Sequence, residues 1–239
     1  MPHNVSLTPQ YTLIAATTPL LISAVKNSIV GTLPETKVHI AQDGLEAIDL
    51  TSKLSINFAI LASNMEDIDG LDYIPRIANN AGIDRIIILA DHHNPRALDR
   101  FYRLKSVSLF SINSSNPEDL KKCIDSTLMG HRYICSDLYR IIYDRDATTT
   151  SKLLSQSEEI TLSLLGEGID NEEAATRLAT SPHSVRGMRA RIMYKLGLRH
   201  KGELMRFAIK NGYTRFTNKG TLHPGNEKFI THWKRHHPA

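Results

Sequence analysis

Five strand-length stretches, four apolar runs and the alternating residues 37–41, each followed by a stretch with helix punctuation, constrain this chain more than any other feature. They fall at residues 12–16, 37–41, 58–62, 86–90 and 107–110. Pro19 stands where the first turn of a helix tolerates a missing N–H, and apolar residues continue to Val30. Asp43 and Glu46 have the acid-x-x-Glu spacing of a helix N-terminus, with Leu50 and Leu54 beyond. Asp69-Gly70 ends a loop before residues 71–77. Residues 95–104 read as a helix, and Ser115, Asn116, Pro117 and Glu118 open another that runs through Leu128. Parallel strands need long crossovers and are covered on both faces, so they read as unbroken apolar runs. The repeat predicts a doubly wound α/β domain over residues 1–130. No Gly-x-Gly-x-x-Gly or P-loop string occurs, so nothing supports a nucleotide at the switch point.

The remainder has a different character. Residues 1–150 hold 14 Lys/Arg and 17 Asp/Glu, a net of −3, whereas residues 151–239 hold 15 and 8, a net of +7. Ten basic residues fall within 186–219 against the single acid Glu203. A merely solvated helix face would intersperse acids at i+4. Their near absence points to a polyanion, nucleic acid before membrane surface. An apolar fraction of 41% and a charged fraction of 23% exclude a disordered chain or a collagen-like repeat. The longest apolar run, residues 86–90, falls far short of the ~18 residues of a membrane helix. The opening MPHNVSLTPQ lacks a secretory pattern. Cys123 and Cys135 have no metal-ligand spacing, and two such cysteines predict a reduced, cytoplasmic setting.

Helix punctuation is clear in the basic half. Residues 146–151 form a polar linker, within a linker region spanning 131–152. Ser155 and Glu158 make a capping box, followed by Ile160, Leu162, Leu164 and Leu165 and a stop at Gly168. Asp170 starts a second helix, in which Ala174, Ala175 and Leu178 pack. Ser181 caps a third, with Pro182 at its first position and Gly197 after its end. Val185, Met188, Ile192 and Leu196 form its apolar stripe. Residues 203–210 form a fourth helix around Leu204, Phe207 and Ala208, closed by Gly212. Two short helices joined by a tight turn, the second strongly basic, are a helix-turn-helix. An all-α four-helix DNA-binding domain is therefore expected over residues 153–217, with 218–239 as a flexible C-terminal tail.

The front half resembles the flavodoxin-like (CheY-like) receiver domain of two-component response regulators. Pro19 matches the family's acid-acid-x-Pro turn. Met65-Glu66-Asp67-Ile68-Asp69-Gly70-Leu71 matches its Met-Pro-Gly-Met-Asp-Gly loop, and Asn116-Pro117-Glu118-Asp119-Leu120 its Lys-x-x-x-Pro-Glu-Asp-Leu corner. The resemblance spans residues 11–130, yet the chemistry it implies fails at each position. The metal-holding acids are Ala16 and Thr17, and the phosphoacceptor aspartate is Ala62. The switch Thr/Ser is Ala90, and the charge-neutralising lysine is Asn113. Alanine offers neither a nucleophile nor a hard oxygen ligand, so this is expected to be a pseudo-receiver without aspartyl phosphate or Mg²⁺. A register with Asp67 or Asp69 as acceptor would put the acid in the loop, with no acid pair to hold a cation. Asp69, Asp91, His92 and His93 read as turn and polar-loop residues rather than a metal site. No catalytic set of residues stands out, and neither a metal nor a cofactor is expected.

The second half resembles the LuxR/FixJ-type (NarL-type) DNA-binding domain. The match is carried by Leu154-Ser155, Glu158, Leu162, Leu164-Leu165, Gly168, residues 171–175, Leu178, Ser181, Ser184-Val185-Arg186, Ile192, residues 195–198 and Glu203-Leu204. Thr161, Met188 and Arg189 depart from the pattern. At about 100° per residue, Gly187, Ala190, Arg191 and Tyr194 point away from the apolar stripe. Arg186 is the expected base reader, since its fork matches guanine O6 and N7. Gly187 leaves room for close approach, and the Ala190 methyl is placed for a thymine methyl. Ser184, Arg191, Lys195, Arg199 and Lys201 are expected phosphate contacts. Arg189 either touches DNA or pairs with Glu158 or Glu159, and Tyr194 reads as surface packing. The resemblance further implies dimerisation, in part through Leu204, Phe207 and Ala208.

These readings converge on a cytoplasmic, non-enzymatic, sequence-specific transcription regulator that binds promoter double-stranded DNA as a homodimer. Without a phosphoryl switch, control falls to abundance, a regulatory protein partner or a small ligand. The competing expectation is a two-component adaptor, whose receiver-like domain docks a partner and whose DNA contact is secondary.

Overall fold

The structure, a computed structural model, describes residues 10–80, 82–90, 94–113, 117–143 and 153–226. It divides into two compact units, Met1–His93 with Leu98–Ile142, and Asn94–Ala97 with Tyr143–Ala239. Asp91, His92 and His93, the polar stretch 146–151 and the basic-histidine end with Trp233 lie outside the described residues.

The first unit alternates strand and helix: β1 (Tyr11–Ala15), α1 (Pro19–Thr32), β2 (Lys37–Ala41), α2 (Gly44–Lys53), β3 (Phe58–Ala62), α3 (Gly70–Ala78), β4 (Arg85–Ala90), α4 (Pro95–Tyr102), β5 (Val107–Ser111) and α5 (Pro117–Leu128). All neighbouring strands pair in parallel, in the order β2-β1-β3-β4-β5. This is the doubly wound sheet that the apolar runs predict. β3 and β5 are buried along their whole length, and β2 at the edge is mostly not. Ile14, Phe58, Ile60, Ile87, Leu89 and Phe110 meet Val25 and Ile29 of α1 and Ile124 of α5. Each such side chain contributes about 1.5–3 kcal/mol on burial.

Local chemistry starts the helices where the sequence predicts. Asp43 caps α2 by accepting from the Glu46 N–H at 2.7 Å, while Glu46 accepts from the Gln42 N–H at 2.8 Å. Asp69 caps α3 through the Leu71 N–H at 2.9 Å.

The expected linker does not begin at 131. The Leu109 N–H donates to the Tyr133 carbonyl, and the Cys135 N–H donates to the Leu109 carbonyl, so this segment covers the edge of β5. A further helix, α6 (Ser136–Tyr143), then buries Leu138 and Ile142. An edge strand left bare is a pairing hazard, and the i, i+4 pair Leu138/Ile142 is the signal for its cover.

The second unit holds α7 (Gln156–Leu165), α8 (Asn171–Arg177), α9 (Pro182–Leu196) and α10 (Lys201–Lys210), then β6 (Arg215–Thr217) and β7 (Gly220–Leu222) as an antiparallel hairpin. The Ser155/Glu158 capping box forms as predicted. Asp170 accepts from the Glu172 and Glu173 N–H groups, and Ser181 accepts from the Ser184 N–H, with Pro182 at the first position of α9. Gly197 ends α9 at φ 65°, the left-handed region where a Cβ is penalised. α10 begins at Lys201, two residues before the expected start, because the His200 side chain accepts from the Glu203 N–H.

The core packs Leu162, Leu165, Ala174, Ala175, Val185, Ile192, Leu204 and Ala208 with Tyr213. The chain beyond α10 is therefore not a loose tail up to Asn226. Tyr213 stacks on Phe207 with ring centroids 6.3 Å apart, and the Thr214 hydroxyl donates to the Ser163 carbonyl at 2.6 Å. Leu222, His223 and Asn226 are buried. Three-residue strands joined through Asn218-Lys219 are too short to show periodicity, which is why composition alone suggests a tail.

This docking tests at Gly166. A Cβ there would lie 2.0 Å from Thr214 Oγ1 and 2.7 Å from the Ala208 Cβ. Gly166→Ala is expected to destabilise the second unit by about 1–3 kcal/mol through overpacking, read as a lowered urea midpoint. An unchanged midpoint would mean that the segment after α10 does not pack here.

Candidate nucleic-acid interface

The burial of α9 sorts its side chains. Val185 and Ile192 are fully buried, and Met188, Met193 and Leu196 pack against the same core. The opposite face is solvent. Arg186, Gly187, Ala190 and Arg191 are exposed. A Cβ at Gly187 would meet nothing within 4 Å, so the helix surface there is open to close approach. Tyr194 is 89% exposed, so it does not pack on the surface as expected.

The expected phosphate contacts divide into two groups. Arg191, Arg199 and Lys201 are exposed. The Ser184 hydroxyl is engaged by its own cap, 2.9 Å from Ser181 Oγ. Lys195 donates to Glu158 Oε2 at 2.7 Å, an ion pair joining α9 to the first turn of α7. Burial pushes the Glu158 pKa up. The Lys195 ammonium, with the N–H and hydroxyl of Ser155, outweighs it and holds the carboxyl below its ordinary range. Glu158 therefore both closes the capping box and anchors Lys195, a link that α9 periodicity alone does not reveal.

Neither glutamate holds Arg189. Its guanidinium is half-buried, and Nε and Nη2 are enclosed without a hydrogen-bond partner. Burial pushes its pKa down, partly offset by the charge of Asp170. Two of the departures from the family pattern meet each other: the Thr161 hydroxyl lies 3.3 Å from Met188 Sδ. The pair fills one contact between α7 and α9.

The expected dimerisation residues need correction. Leu204 and Ala208 are fully buried in the core of their own unit, and Phe207 is half-buried against Tyr213. What α10 presents outward is Arg206, Ile209 and Lys210, with Ile209 44% exposed.

Beside α8, Glu167 Oε1 receives Arg177 Nη1 and His223 Nε2, each at 2.8 Å. Burial raises the Glu167 pKa, but His223 and Arg177 together bring it below the ordinary carboxylate range. His223 reaches this site from beyond the hairpin, where nothing in the sequence marks it.

In the first unit, Ala16, Ala62 and Ala90 sit buried at or just beyond the carboxyl ends of β1, β3 and β4. Thr17 is half-buried and Asn113 exposed. The buried Tyr73 hydroxyl donates to the Ala62 carbonyl. Asp67 accepts from the Gly44 and Leu45 N–H groups, at 2.9 Å each, and Asp69 caps α3. The loop carboxylates are thus spent on helix N-termini. Among the described residues, no group of three or more His, Cys, Asp or Glu could hold a metal ion, and no helix is long and apolar enough to cross a membrane.

No protein-family model matches the chain. It is similar to the oxygen regulatory protein NreC of Staphylococcus aureus, 26% identical over 190 residues, covering 75% of this chain and 87% of NreC. Among solved structures it is similar to the two-component response regulator RcsB in a complex with DNA, with a TM-score of 0.55, 22% identity and coverage of 84% and 98%. RcsB of Salmonella enterica serovar Typhimurium bound to promoter P1flhDC gives a TM-score of 0.57 at 22% identity, covering 83% and 97%. Two RcsB dimers on two parallel DNAs give 0.53 at 21%, covering 84% and 98%.

The Glu158–Lys195 pair predicts a pH signature. The Glu158 pKa is lowered on folding, so its stabilisation is complete above the ordinary carboxylate range and is lost as pH falls through the folded value. Urea midpoints measured from about pH 7 down to about pH 3 should fall less steeply for Glu158→Gln than for the wild type, with the difference arising below about pH 4.5. Parallel curves would show that the ion pair contributes nothing.

Proposed function

We propose that this chain, similar to NreC in sequence and to RcsB in fold, is a NarL/LuxR-type response regulator homologue that regulates transcription by binding promoter double-stranded DNA sequence-specifically. The observation that carries this reading is the outward face of α9, open at Gly187 and flanked by the exposed Arg186 and Arg191. Arg186, in the first turns of the helix, reads a base through its bidentate fork. Ala190 lies on the same face. Arg191, Arg199 and Lys201 clamp phosphates. Lys195 serves the phosphate backbone from a position set by Glu158, and Ser184 acts through the Ser181 cap. Arg189 braces the core edge of α9 beside Asp170.

One such module covers few base pairs, so two copies are the physical route to useful affinity. RcsB has been solved as dimers on DNA, which supports a homodimer here. We assign the outward face of α10, with Arg206 and Ile209, to that contact, in place of the buried Leu204 and Ala208. The first unit acts as a pseudo-receiver. Ala62 offers no nucleophile, Ala16 and Thr17 offer no acid pair, and Asp67 and Asp69 are engaged as caps. Its control comes from abundance, a protein partner or a small ligand in the cytoplasm, and its role is binding rather than catalysis.

Selection of bound fragments from genomic DNA supplies the cognate duplex. On it, Arg186→Ala should cost about 1–3 kcal/mol and relax preference at one position. Arg191→Gln should weaken cognate and random duplexes alike and flatten the salt slope by about one. Identical behaviour of both variants on both duplexes would defeat this division of roles. Incubation with a small acyl phosphate and Mg²⁺ should leave the intact mass unchanged, and a stable phosphoryl adduct would refute the pseudo-receiver.

A further inference from the structure

Tyr194 is the most exposed large hydrophobic side chain among the described residues, at 89%. No hydrogen bond, ion pair or ring contact involves its side chain there. An aromatic ring left in water forgoes the burial that large apolar side chains normally gain. The position on the helix is equally specific. Tyr194 lies about 180° around α9 from the buried Val185 and about 200° from Ile192. That places it on the stripe of Gly187, Ala190 and Arg191, the face assigned to DNA above.

We propose that Tyr194 is a further DNA-contacting residue, its phenol hydroxyl donating to a backbone phosphate and its ring lying against the neighbouring sugar. This inference rests on the DNA-binding reading. Two arguments choose the phosphate over a base. A recognition helix enters the groove with its N-terminal residues, and Tyr194 stands seven residues, about 10 Å, beyond Gly187. That distance carries the last turn from the groove floor to its wall. Charge makes the same choice: exposed Arg191 one turn earlier, with Arg199 and Lys201 just after α9, offers a polyanion as the partner. Glu158 on α7 is already taken by Lys195. The small residues at 187 and 190 permit the close approach that brings a long side chain within reach.

A neutral donor on a phosphate has a signature that a cation cannot imitate. It adds affinity on every sequence yet displaces no counterion. Binding of Tyr194→Phe should therefore be measured on the cognate fragment and on a random-sequence duplex of equal length, across salt concentrations, beside Arg191→Gln. Tyr194→Phe is expected to lose about two- to tenfold on both duplexes with an unchanged salt slope, and Tyr194→Ala to lose more, while Arg191→Gln flattens the slope. Thermal midpoints equal to the wild type would exclude misfolding, as an exposed site predicts. Wild-type affinity in Tyr194→Phe, a loss confined to the cognate duplex, or a flattened slope would each overturn the inference alone, provided the wild type prefers its cognate. A wild type with no preference for any duplex would instead bring down the DNA-binding reading and this contact with it.

Discussion

Burial of Val185 and Ile192 is the constraint on which the second unit depends. A helix has one circumference, and committing this arc to Leu162, Leu165, Ala174, Ala175, Leu204 and Ala208 decides what the opposite arc can do. Glycine and alanine at 174, 175, 187 and 190 serve the two arcs differently. On the inner side small residues let helices pack closely, and on the outer side they keep the helix surface low. Caps then hold the rotation. Ser181 and Pro182 set the first turn of α9, Gly197 the last, and Glu158 ties Lys195 down from α7. Rotating α9 by one residue would bury an arginine and expose a core aliphatic, a change costing several kcal/mol.

The first unit sets its loop carboxylates against helix N-termini at the carboxyl edge of a parallel sheet. The strands run in the order β2-β1-β3-β4-β5, and β3, ahead of that loop, is buried along its whole length. Carboxylates near that loop have another occupation: Asp67 and Asp43 share the N-terminus of α2, and Asp69 takes that of α3. A helix N-terminus favours negative charge and offers unpaired N–H groups, so these acids stabilise the fold whether or not a cation is present.

Much of this was legible in the residues. Apolar runs located β1, β3, β4 and β5, because a strand covered on both faces has no polar side to hide, and alternation at 37–41 located the edge strand β2. Caps at Asp43, Ser155, Asp170 and Ser181 started helices where they were expected, since capping depends on a few adjacent atoms. What escaped depends on distant partners. Lys195 looked free on the helical wheel and is held by a residue 37 positions away. Leu204 and Ala208 looked available for a dimer and are core residues, because a lone amphipathic helix does not say which partner covers its apolar side. Position alone likewise reads Tyr194 as packing, whereas its ring is exposed. The hairpin after α10 was invisible, since strands of three residues carry too little pattern.

That hairpin bears on where a self-sufficient fragment of the second unit can end. Cutting the chain after α10 would keep the four helices that define the motif. It would also strip Tyr213 from the core, remove the donor to the Ser163 carbonyl, and withdraw His223 from Glu167. The orphaned carboxylate would keep only Arg177, on the helix just before α9. The structural boundary of this unit therefore lies at or beyond Asn226, well past its last helix, and the extra sixteen residues behave as a buttress rather than an appendage.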